Sequence, residues 1–155
     1  MARPIEIFID ADACPVKDEI YRVAQRYGLK VYVVANAFMM VPAHPKIERV
    51  IVEAGPDIAD DWIAERAEDG DIVITNDIPL ADRVLKKSAA AIAPNGRAFT
   101  ADSIGAAVAQ RAIMEQIRST GAITGGPKPF DRTDRSRFLQ ALDEAVNKAM
   151  RKRRA

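Results

Sequence analysis

The chain is poor in the residues that most catalytic chemistries use. It has one cysteine, Cys14, and one histidine, His44, in 155 residues. A single cysteine excludes an internal disulfide. Together the two are too few for a Cys/His zinc site, which takes about three or four protein ligands. A Ser-His-Asp arrangement would have to use His44, which sits in the loop Pro42-Ala43-His44-Pro45. Cys14 reads as a small buried core residue, although a helix N-terminus could activate a thiol there. Aromatics make up only 6% of the chain, so no platform for stacking single-stranded bases is expected. No apolar run approaches the roughly 20 residues of a membrane span. The run Ile5–Ile9 is broken by Glu6 and followed by aspartates, unlike a secretory leader. A cytoplasmic protein without membrane partners is expected. Catalysis, if present, must be built on carboxylates, and hard oxygen ligands point to Mg²⁺ or Mn²⁺.

What is present fits one folded domain over 1–155, with 48% hydrophobic and 29% charged residues. The organising stretch is Ile5-Glu6-Ile7-Phe8-Ile9-Asp10-Ala11-Asp12-Ala13-Cys14-Pro15. It reads as a buried strand, a tight acidic turn, and a helix opened by Pro15. Ligands of open parallel sheets bind outside the carboxyl ends of strands. Asp10 and Asp12 would lie at that edge, where close carboxylates repel unless a cation or proton lies between them. Alternatively, Asp12 caps the helix and Asp10 makes a turn bond.

The pattern repeats at Asp71-Ile72-Val73-Ile74-Thr75-Asn76-Asp77-Ile78-Pro79-Leu80-Ala81. Strands are expected at 5–9, 31–35, 47–52, 72–74 and 89–93. Helices are expected at 15–27, 57–70, 79–85, 101–118 and from Asp134, their apolar residues recurring at helical spacing. Asp57 reads as the cap of the second helix and Gly70 as its end. Asp60 and Asp61 fall in its first turn, where the macrodipole favours acids and Asp60 could add a carboxylate to the edge. Strand–helix alternation gives a right-handed parallel α/β sheet, extended by two C-terminal helices. The core spans about 1–118, a Gly/Pro-rich connector 119–133, and a last helix with a basic tail 134–155. Further edge residues are Lys17, Asn36, Thr75 and Asn76. Each also has a plain surface or turn role. Thr124, Gly125 and Gly126 could turn backbone N–H groups toward a phosphate. From Lys128 onward there are nine Lys/Arg against four Asp/Glu, net +5; the first 127 residues hold fourteen against eighteen, net −4. An acidic body with a basic end suits a metal site beside a phosphate-tracking surface.

Ile9 to Lys17, Val34-Ala35-Asn36, Asp57 with Asp60, Ile74 to Ala81, Thr124 to Pro127 and Asp131 to Phe138 resemble the bacterial YaiI/YqxD family. The resemblance runs nearly end to end. It implies a branch of the PIN-like nucleases, with a three-layer fold and aspartates at the carboxyl edge of a parallel sheet. It further implies divalent-metal-dependent cleavage of RNA, with DNA less favoured. Asp10 is similar to the leading metal ligand and Asp77 to the acid after the fourth strand. Asp60 fills the middle position, with Asp57 or Asp61 as alternates, and Asp12 is an extra acid. The last acid of PIN domains has no clear match; Asp82 and Asp102 are candidates. Asp10, Asp12, Asp60 and Asp77 would hold the metal and carry catalysis. Lys17, Thr75, Asn76 and the basic end would position the backbone.

Two other functions compete. Asp10-Ala11-Asp12 also resembles the opening of haloacid-dehalogenase-type phosphatases, with Asp10 as nucleophile and Asp12 as acid/base. Ala13 departs from that pattern. A non-catalytic module would use the acids for a structural ion and the basic end for RNA or a protein.

Overall fold

The computed structural model describes residues 4–12, 14–106, 109 and 130–154. Five strands form one parallel sheet: β1 Glu6–Asp10, β2 Lys30–Ala35, β3 Ile47–Ile51, β4 Ile72–Ile74 and β5 Ala90–Ile92. Their order across the sheet is β3-β2-β1-β4-β5. Four helices have defined bounds: α1 Lys17–Tyr27, α2 Ile58–Arg66, α3 Ile78–Leu85 and α4 Arg132–Arg154. Residues 101–106 are also helical. The rest of the expected 101–118 helix, and the Thr124-Gly125-Gly126 stretch, lie outside the described residues.

Side-chain alternation along the strands divides the core in two. Ile7 and Ile9 of β1, Val31 and Val33 of β2, and Ile72 and Ile74 of β4 pack with Ile20 and Val23 of α1 and Phe138, Leu142 and Val146 of α4. Phe8, Val34 and Val73 face the other way, onto Ile63 of α2 and Leu80, Ala81 and Val84 of α3. The result is a three-layer α/β/α arrangement. Phe138, Leu142 and Val146 recur every fourth residue and are fully buried, so α4 docks by one stripe. Phe8 stacks on Tyr32 at 5.1 Å between ring centroids, and Trp62 tilts against both.

The chain leaves β1 toward β2 through α1 and later reaches β4 on β1's other side, through α2. The strand order therefore reverses direction between β1 and β4. That is a topological switch point, where loops diverge and leave a crevice at the carboxyl ends.

Four local expectations need correction. Helix α1 starts at Lys17, two residues after Pro15. Asp57 holds the cap position of α2, its carbonyl accepting from Asp61 N at 2.8 Å, but it takes the left-handed conformation (φ 65°) and its side chain makes no cap bond. Short acidic residues tolerate that conformation better than most. Helix α2 stops at Arg66, and Gly70 (φ 88°) instead turns the chain into β4. The last helix begins before Asp134. Asp131 and Asp134 form a reciprocal box, Asp134 N donating to Asp131 Oδ1 at 2.9 Å and Asp131 N to Asp134 Oδ2 at 3.1 Å. Asp131 is thus the cap and Asp134 its partner three residues on.

Candidate functional site

The register of β1 against β4 pairs Phe8 with Val73 and Ile9 with Ile74. The next residues along are Asp10 and Thr75, both on the α2/α3 face by the alternation of the pleat. Thr75 is buried, and its Oγ1 donates to Asp10 Oδ2 at 2.8 Å. The same oxygen accepts from the Asp77 amide at 2.9 Å. Asp77 then caps α3, its Oδ1 accepting from Leu80 N at 2.8 Å, with Pro79 in the first turn. One hydroxyl thus ties the end of β1 to the start of α3.

Helix α2 brings the third carboxylate. Asp60 hydrogen-bonds the Asp77 side chain, and its pKa is pushed up to about 7. Partial burial is the largest cause, followed by the charges of Asp77 and Asp10. Asp10 is raised as well, first by burial, against the lowering bond from Thr75, and further by Asp77 and Asp12. Asp10, Asp60 and Asp77 come from three elements, and the charge of Asp77 raises both of the other two.

The other named residues separate from this cluster. Asp12 is exposed and turns toward β2, its Oδ2 accepting from Asn36 N at 3.2 Å. It therefore neither caps α1 nor shares the Thr75 bond. Asn36 uses its backbone here, and its side chain and that of Asn76 are exposed at the edge. Lys17 donates its ammonium to the Cys14 carbonyl at 2.8 Å, which holds the turn before α1. Cys14 is buried, and burial raises its thiol pKa, which suits a core residue. Asp61 pairs with Arg83 at 2.7 Å and Asp82 with Lys86 at 2.9 Å. Asp102 is exposed.

The basic end lies away from the acids. Arg135, near the start of α4, donates to the Pro15 carbonyl at 2.8 Å, beside the carboxyl edge. At the other end, Lys152 bonds the Asp69 carboxylate and Arg153 the Asp69 carbonyl, just before β4 begins. Helix α4 therefore runs antiparallel to the strands, and its 23 residues span roughly 35 Å. The Arg151-Lys152-Arg153 cluster sits at the opposite edge of the sheet from Asp10. The expectation that it flanks the acidic site is not met, because a straight helix carries it across the whole sheet.

One acid escaped notice in the sequence. Asp71 is fully buried and accepts from Glu6 N at 3.0 Å and Glu68 N at 2.9 Å. It joins β1 and β4 at their amino ends, as Thr75 and Asp10 join them at their carboxyl ends. Its position directly before the apolar run Ile72-Val73-Ile74 was the available signal.

Among the described residues, no group of three or more His, Cys, Asp or Glu side chains is disposed as a ready-made metal-binding set. The donor chemistry still suits a hard cation: carboxylate oxygens only, partly buried, with the ionised form disfavoured by like charge. Likewise, no described helix is long and apolar enough to cross a membrane.

Fold and site together define a doubly wound α/β protein with an acidic cluster at its switch point. The chain belongs to the family described as "Uncharacterized BCR, YaiI/YqxD family", whose model matches residues 8–148. A "UPF0178 protein" of Caulobacter sp. (strain K31) is 66% identical over 145 residues, covering 94% of this chain and 96% of the relative. A "UPF0178 protein" of Rhodopseudomonas palustris (strain TIE-1) is 59% identical over 149 residues, covering 96% and 94%. No solved structure matches the chain.

Proposed function

We propose that the cluster of Asp10, Asp60 and Asp77 is the centre of a Mg²⁺- or Mn²⁺-dependent phosphodiester hydrolase of the PIN-like nuclease kind, acting on RNA in preference to DNA. The observation that carries it is the meeting of the Asp10 carboxylate and the Asp77 amide on the one buried Thr75 hydroxyl, with Asp60 of α2 beside them. Folding has driven acids together at a cost that a cation would relieve. Asp10 would offer Oδ1 while Thr75 fixes its Oδ2. Asp77 is held by the first turn of α3, and Asp60 would bring a third carboxylate beside it. Asp10, Asp60 and Asp77 would hold a divalent ion, whose chemistry there would be to activate a water and offset charge on the leaving oxygen. Asn36 and Asn76, both exposed at that edge, would orient a phosphate.

A second reading, a non-catalytic module, is favoured by the structural use of the same acids, since Asp77 caps α3 and Asp10 bonds Thr75. The phosphatase reading needs Asp12 as acid/base next to Asp10, but Asp12 is turned to Asn36 N.

The test is titration of Mn²⁺ and Mg²⁺ into wild type and Asp10→Asn, read by calorimetry and thermal unfolding. Ion binding that stabilises the wild type and is lost in the variant supports a metal site. Metal-dependent cleavage of mixed RNA, absent in Asp10→Asn, separates the hydrolase from the binding module. A wild type that binds neither ion sinks the hydrolase.

A further inference from the structure

We infer that a groove between the turn after β5 and the first half of α4 is a phosphate-binding subsite for a single-stranded nucleic-acid backbone, with Arg97 and Arg137 as its cationic walls. This rests on reading the acidic cluster as a phosphodiester-cleaving centre.

The groove has a volume of about 290 Å³ and is lined by Asn95, Gly96, Arg97, Arg137, Gln140 and Glu144. It follows the carboxyl end of β5 and faces the amino-terminal half of α4, so it lies toward the carboxyl edge of the sheet on the α1/α4 face, while Asp10 and Thr75 at that edge face α2 and α3. This is the edge that the basic end of α4 does not reach.

Several arginines in the described structure are engaged. Arg26 pairs with Asp143, Arg83 with Asp61 and Arg135 with Glu19, and Arg153 donates to the Asp69 carbonyl. Arg97 and Arg137 are exposed, and among the described residues neither guanidinium meets a carboxylate. Guanidinium forks match phosphate oxygens in shape and charge.

The groove is also built rather than incidental. Gly96 has φ 92°, and a Cβ there would lie 2.7 Å from the Arg137 backbone carbon. The turn thus presses against α4 at the residue that carries one of the two cations. Gly96 N donates to Ala93 O at 2.9 Å and Arg97 N to Asn95 Oδ1 at 3.0 Å, which fixes the turn. No large apolar side chain lines the groove, which disfavours a protein hot spot built on aromatic anchors. Glu144, bonded by Gln140 at 3.3 Å, offers an acceptor for a hydroxyl or base amino group beside the phosphate.

The test measures binding without turnover. A fluorescein-labelled, mixed-sequence single-stranded RNA is titrated in EDTA at several salt concentrations, read by anisotropy. Each phosphate contact contributes about 0.7 to the slope of log affinity against log salt on a single strand. Arg97→Ala/Arg137→Ala should lower that slope by about 1.4 and weaken low-salt binding roughly tenfold or more. Arg97→Lys/Arg137→Lys should keep most of the slope. Both side chains are exposed, so unfolding midpoints should not move. An unchanged slope and affinity in the alanine variant overturns the subsite, as does a wild type that binds no RNA at low salt. Cleavage with Mn²⁺ is scored in parallel. Wild-type cleavage with arginine-independent binding removes the subsite and leaves the hydrolase. Arginine-dependent binding without cleavage keeps the subsite and removes the hydrolase.

Discussion

Thr75 and Asp10 are joined across the β1–β4 boundary by a 2.8 Å hydrogen bond, and the same Thr75 oxygen accepts the Asp77 amide. Thr75→Val keeps the shape and removes both bonds, leaving a part-buried N–H and a part-buried carboxylate oxygen unpaired. Urea unfolding should show a loss of about 1–3 kcal/mol. Thr75→Ser should recover most of it. An unchanged midpoint for the valine variant would show that water replaces both bonds.

Asp60 should make the metal-free protein less stable as pH rises. Its folded pKa, about 7, lies above the ordinary 3.8, so the folded state holds more protons between those values. Stability from this group is therefore fully present below about pH 4 and is lost as pH rises through 7. The raised Asp10 acts with the same sign. Thermal melts in EDTA at pH 5 and pH 8 should show a higher midpoint at pH 5, and Asp60→Asn should flatten the difference. A difference that survives the substitution would assign it to other groups.

Asp71 should matter for folding and not for ion binding. Its carboxylate satisfies two backbone amides, from Glu6 and Glu68, at zero exposure. Asp71→Ala orphans both, at a cost of roughly 2–4 kcal/mol. The variant should still bind Mn²⁺ below its lowered melting point as tightly as wild type. Selective loss of Mn²⁺ affinity would show that the amino-end link sets the geometry of the carboxyl edge.

Gly96→Ala combines a strained φ with a 2.7 Å approach to backbone atoms of Arg137, which cannot swing aside as a side chain could. It should destabilise by about 1–3 kcal/mol. Gly28→Ala offers a contrast: φ 67° but open space around the added carbon, so a smaller loss is expected. Equal losses would mean that φ alone sets the cost.

The amino-acid sequence by itself determined the strands, most helix faces and the two acidic turns. Alternation in Ile7-Phe8-Ile9 and the fourfold spacing of Phe138, Leu142 and Val146 are local patterns, and local patterns fix which side of an element is buried. It also placed Asp10, Asp60 and Asp77 near one edge, since strand–turn–helix order requires it. Cap identities were decided by short-range geometry that composition leaves open. Asp57 and Asp134 each had the right chemistry for a cap, but backbone conformation put one in the left-handed region and made the other the partner of Asp131. Only the tertiary structure decided the rest. The register of β1 on β4 set Thr75, not Lys17, beside Asp10. The straight run of α4 took the basic end to the far edge and left Arg97 and Arg137 at the near one. These outcomes depend on pairing between residues 65 or more positions apart, such as Thr75 with Asp10, which no window of sequence contains.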